Sequence, residues 1–300
     1  MPDPAAQPPA GTSAANARRR DPALRRRLRQ DFAFRGLVLS LSLLATLPLV
    51  LILFYIVLRG ASSINWAFLT ELPRPIGETG GGIANGIVGT FIIIIVSTLV
   101  SVPLGIVAGI FLSERGKTRL GTVARLSMET LMGIPSIVIG IVAYVWIVRP
   151  MGHFSALSGG LAIAMIMLPV IALSTEETLR LIPVSLREAA LALGVSYTAT
   201  IMKVILPAGM SGIVTGVLLA VARGAGETAP LLFTAFGNPF MNLNVLKPVE
   251  TLPQAIFYYA TSPYPEWHSL AWGAAFVLLV IVLTLNIVTK LVTSRWKIQF

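Results

Sequence analysis

The apolar positions of this chain fall into long unbroken runs, not into the alternation of a half-buried strand or the narrow stripe of a soluble amphipathic helix. Crossing a bilayer takes roughly 20 apolar residues in a helix, and runs of that length place about six spans. They lie near Gly36 to Leu58, Ile87 to Leu112, Leu126 to Val148, Leu157 to Leu173, Ile213 to Phe236 and Leu270 to Val292. The fourth is short and carries Pro169. In the second, Pro103 stands beside Ser97, Thr98 and Ser101, whose hydroxyls can serve the freed carbonyl, so a kink is expected there and not a break.

Composition agrees with this pattern. The chain is 55% hydrophobic and only 12% charged, which predicts an all-α integral membrane protein. It has no cysteine, which excludes a disulfide framework and thiolate metal sites. Its two histidines, His153 and His268, lie far apart in predicted loops, and no metal site is expected.

Charge sets the expected orientation. With the N-terminus placed in the cytoplasm, the inside segments hold eighteen Lys and Arg and the outside loops four: Arg59, Arg74, Arg149 and Lys247. That excess predicts a multi-pass protein with both termini cytoplasmic. The net charge of +10 then reflects topology and contact with anionic membrane lipids, and no nucleic acid partner is expected. Residues 1–17, rich in Pro and Ala, read as a disordered tail. Residues 18–35 read as a basic interfacial helix, with Asp21 as cap, Pro22 at the first position and Leu24, Leu28 and Phe32 on one face. Residues 36–300 form the predicted transmembrane domain.

Two cytoplasmic segments bear on energy supply. Gly116-Lys117-Thr118 matches the end of a phosphate-binding loop, but the glycine required five positions earlier is Phe111 and no strand precedes it. The chain is therefore expected to have no nucleotide site of its own. The connection 175–207 reads as two short helices. Pro183 opens the first, Gly194 ends it in a left-handed conformation, and Ser196 caps a second that stops before Pro207. Helix signals alone fit an amphipathic hairpin on the membrane equally well.

Within the fifth run stand Arg223 and Glu227. An ionised side chain at the bilayer centre costs about 2.5–3.5 kcal/mol on insertion scales, so such residues mark pathways or pair with one another. Four apart, the two share a helix face. Arg offers a planar, permanently charged fork for phosphate oxygens, Gly224 and Gly226 permit close backbone approach, and Pro230 one turn later kinks the helix. A pair that merely neutralises itself against a neighbouring helix is the competing reading.

Glu188-Ala189-Ala190, followed by Gly194 and Ile205-Leu206-Pro207, resembles the EAA loop of the permease subunits of bacterial ABC importers. The resemblance implies a type I importer permease architecture, with Glu188, Ala189, Ala190 and Gly194 coupling to a dimer of ATP-binding subunits. ATP and Mg would be bound on that partner, and this chain would bind no cofactor. Arg223 to Ala235 (RGAGETAPLLFTA) is similar to the hallmark of phosphate-importer permeases, in which Ala-Pro-Leu-Leu follows a Gly-Glu-Thr core. Likeness continues through Leu179 to Pro183, Leu252-Pro253 to Tyr258, Ser262-Pro263, Glu266-Trp267 and Ala271-Trp272, covering 168–292. One departure is Leu173, where related sequences often have arginine.

The resemblance implies a transport subunit and not an enzyme. It places Arg223, Glu227 and Thr228 on a phosphate pathway through the inner membrane of a bacterium, with a second permease subunit and an extracytoplasmic phosphate-binding protein as partners. Alternatives are the other phosphate permease subunit, an importer of another anion, or an ion-coupled secondary transporter. The last lacks an inverted-repeat counterpart of the Arg223 segment. An intramembrane hydrolase would need a positioned nucleophile and base, and no predicted span carries a histidine or paired carboxylates.

Overall fold

The computed structural model describes residues 22–78 and 80–295, and the expected tail over 1–17 lies outside them. The chain divides into two compact units, one ending at Tyr55 and one beginning at Ile56. The first is the bulk of α1 (Pro22–Gly60), a single helix that passes Gly36 without interruption. For its described residues, the separate interfacial helix expected over 18–35 is thus the first turns of the span. No breaker stronger than Gly36 intervenes, and one glycine costs only about 1 kcal/mol in a helix. Ser40, Ser42 and Thr46 each donate to the carbonyl four residues back, at 2.8 Å. Their hydroxyls are thereby satisfied within an otherwise apolar helix surface.

The second unit includes the short α2 (Trp66–Thr70) and is organised around α6 (Ala156–Arg180). Two-thirds of its apolar stretch (67%) is buried, against 22% for α3 (Ala84–Arg115), so the run that looks weakest in sequence is the centre of the core. It is also longer than the expected Leu157 to Leu173 and ends at Arg180. Pro169 lies inside it, as Pro103 lies inside α3. The N-terminal turn of α6 is fastened by a Ser155–Ser158 capping box. Its next amides reach a long connection: Ala156 N–H donates to the Lys247 carbonyl and Leu157 N–H to that of Val245. On one side α6 packs against α3, and on the other against α8 (Tyr197–Ala225). The α8 seam is made of small residues: a Cβ at Gly216 would overlap the Ser174 side chain, so glycine lets the helices approach this closely. Ile93, Ile163, Met167, Ile171 and Leu231 fill the core between them.

Three expected boundaries are corrected. The span predicted over 126–148 is two helices, α4 (Arg119–Gly133) and α5 (Ser136–Met151), bent by 106°. Gly133-Ile134-Pro135 accounts for the break, since proline lacks the amide and drives the preceding residue to the extended conformation that Ile134 adopts, with ψ 131. The coupling segment predicted over 175–207 is shorter, because its first residues continue α6 and its last belong to α8. Between them, α7 (Val184–Ala192) stands alone. Pro207 does not stop the second helix; a π-turn over Ile201–Ile205 precedes it and the helix runs on. Finally, the predicted span 213–236 ends early, at Ala225, and a single turn α9 (Ala229–Leu232) follows. The chain closes with α10 (Leu252–Ala260) and α11 (Pro265–Arg295).

Candidate functional site

Arg223 stands in the last turn of α8 and Glu227 just beyond its end, so the pair straddles an interruption instead of sharing a continuous helix. The kink expected at Pro230 is a full break three residues earlier. The amides of Gly226 and Glu227 close onto the carbonyls of Arg223 and Gly224 at 3.1 and 3.3 Å. Pro230, without an amide, sits at the start of α9, where its donor is not needed. Around Arg223 the helix is buried at Val221, Ala222, Gly224 and Ala225, yet the Arg223 side chain is 47% exposed and that of Glu227 19%.

The separation decides what the pair can do. Arg223 Nε lies 3.7 Å from Glu227 Oε1, close enough for electrostatic attraction and too long for a hydrogen bond. The carboxylate therefore does not occupy the guanidinium fork. Thr228 is half-buried beside them at the start of α9.

The residues expected to couple lie at the other end of the same helix. Gly194 adopts φ +81, the left-handed conformation that lets the chain turn from α7 into α8. Gly194 N–H donates to Leu191 O at 2.9 Å and Val195 N–H to Ala190 O at 3.2 Å, closing the helix end. Glu188 and Ala189 are exposed and Ala190 is buried. Leu181, Val184 and Leu193 are 84%, 68% and 85% exposed, an apolar surface on a hairpin that carries no span. α8 joins this hairpin to Arg223 as one 29-residue rod, about 40 Å long.

Two charge clusters escaped sequence reasoning. Glu114, at the end of α3, accepts from Arg187 Nη1 and Nη2 at 3.0 and 2.6 Å and also from the Tyr197 hydroxyl, clamping both arms of the hairpin. Glu176, 1% exposed, pairs with Arg125 of α4 and with Arg180 at 3.0 Å. Glu176 and Arg180 are spaced four apart and so visible in sequence. The partners 51 and 73 residues away are not.

A core helix flanked by two others, a hairpin with exposed apolar residues and a charged helix break fit a membrane transport subunit. Residues 101–298 match the model of the family described as binding-protein-dependent transport system inner membrane component, and the chain belongs to that family. Its relatives include the phosphate transport system permease protein PstA of Yersinia pestis, 42% identical over 87% of this chain and 90% of that protein. The protein of the same name from Haemophilus influenzae is 40% identical, covering 82% and 87%. Among solved structures, a chain of the inward-facing MetNI methionine ABC transporter superposes with a TM-score of 0.58 at 16% identity, over 72% of this chain and 95% of that one. That likeness places the fold among type I ABC importer permeases.

Proposed function

We propose that this chain is the permease subunit through which an ATP-driven importer passes inorganic phosphate across the bacterial inner membrane. The observation that carries the reading is the half-exposed Arg223 guanidinium, held at the end of an otherwise buried turn and not hydrogen-bonded by Glu227. Proximity of Glu227 weakens the attraction for a dianion, which suits a conduit: a site that holds its ion tightly cannot release it. High affinity then belongs to an extracytoplasmic phosphate-binding protein that delivers the ion.

The hairpin around α7, with its exposed leucines, docks on a dimer of ATP-binding subunits that holds ATP and Mg, and α8 carries its displacement to the Arg223 end. A second permease subunit completes the pathway. Both termini face the cytoplasm, consistent with the basic inside segments. The reading is tested by purifying the assembly that forms on this chain and measuring its ATPase activity. Stimulation by phosphate together with the binding protein, and none by sulfate, is expected. An ATPase indifferent to phosphate, or uptake that collapses with an ionophore while ATP remains, overturns it.

A further inference from the structure

A cavity of about 770 Å³ opens among the segment before α3, α10 and the entry to α11. Its walls are apolar and aromatic, and they include Tyr258, Tyr259, Tyr264 and Trp267. Trp267 meets Tyr259 and Tyr264 edge to face, with centroids 5.2 and 5.7 Å apart. Two residues of opposite charge share this lining, Arg74 and Glu250. Arg74 is ion-paired with Glu71 at 3.3 Å.

Glu250 is the unusual member. It is 9% exposed, and its Oε1 is buried with no hydrogen-bond partner. The backbone amides of Asn238 and Thr251 lower the carboxyl's pKa, by less than burial raises it. A point 2.8 Å from Oε2, beside Gly237, is also 3.5 Å from the Tyr258 ring, so carboxyl and ring are adjacent. Burial raises the carboxyl to about 7, as expected of an acid that lacks a counter-charge. An unmet acceptor of this kind calls for a donor, and the ring faces around the cavity favour a cationic one.

Position fixes what kind of cation can arrive. α3 and α11 are both long and apolar enough to span a membrane, and the cavity lies where the two begin, beside Tyr264 and Trp267. The ends of spanning helices meet the headgroup layer, where such aromatic side chains settle. We propose that the cavity seats the headgroup of an aminophospholipid, with the ammonium between the Glu250 carboxylate and the Tyr–Trp ring faces, the phosphate toward Arg74, and the acyl chains along the apolar wall. A primary ammonium has N–H donors for the carboxylate, whereas a trimethylated one has none. An anionic headgroup without an amine meets Glu250 with like charge.

The test uses the purified full chain in micelles doped equally with phosphatidylethanolamine, phosphatidylcholine and phosphatidylglycerol, and counts retained lipid by native mass spectrometry. Wild type is expected to retain phosphatidylethanolamine about tenfold over either other lipid, the factor that one charge-assisted hydrogen bond supplies. Glu250→Gln, which keeps the shape, should lose that preference. Trp267→Leu, which removes a ring face without touching Glu250, should lose it too and decides the matter if the first variant does not fold. Equal retention of the three lipids by wild type, preferred retention of phosphatidylglycerol, or a preference unchanged in both variants overturns the proposal.

Discussion

The clamp on the coupling hairpin offers a quantitative check on how the permease is held together. Glu114 is 7% exposed and Arg187 29%, and they form a bidentate pair at 3.0 and 2.6 Å. Fully exposed pairs are worth about 0.2–1 kcal/mol, whereas breaking a fully buried one costs about 3–5. Partial exposure of Arg187 lets it regain water when its partner is lost, which places the coupling between those limits, at about 2 kcal/mol. Glu114 is not orphaned in Arg187→Met, because Tyr197 still donates to it. A double-mutant cycle of Glu114→Gln and Arg187→Met, read by titrating the purified chain with SDS in mixed micelles, measures the coupling directly. Each single change should cost about 2 kcal/mol, and the double change little more than either. Both single variants should also retain less ATP-binding subunit on purification. Additivity within about 0.3 kcal/mol would refute the clamp.

Two further outcomes follow from the same geometry. Gly194→Val puts a β-branched residue at φ +81, where it is strained, so membrane insertion should survive while co-purification of the ATP-binding subunit and transport both fall severalfold. Because burial raises Glu250 from 4.5 to about 7, lipid-free protein should lose stability as pH rises across that window, by an amount on the order of 3 kcal/mol, and change little beyond it. Glu250→Gln should flatten this profile and melt higher than wild type at pH 8 in a thermal scan; an unchanged profile would contradict the burial of a lone carboxyl.

The spans were legible in the sequence because unbroken apolar length is a strong signal, and the turn at Gly194 because few residues besides glycine serve there. The bend after Gly133 was legible in principle, with Pro135 two residues on. It was hidden by the apolar run on either side, which reads as one span. At Gly226 to Pro230 the same masking occurred: composition stays apolar while the backbone turns. The central place of α6 left no mark, since its run looked short and interrupted by Pro169, and hydropathy does not tell a helix buried in protein from one facing lipid. Glu114 with Arg187 and Glu176 with Arg125 join distant segments, and a single sequence carries no local trace of such pairs.

The central claim is that Arg223 meets the passing anion and does not merely neutralise Glu227. Replacing both at once, Arg223→Met with Glu227→Gln, removes the two charges together and leaves neither uncompensated. At equal membrane abundance and equal assembly with the ATP-binding subunit, uptake of radiolabelled phosphate through this double variant is the deciding measurement. The account predicts a well-assembled permease that carries little phosphate. Near-normal uptake would contradict it and return Arg223 and Glu227 to the role of a structural ion pair.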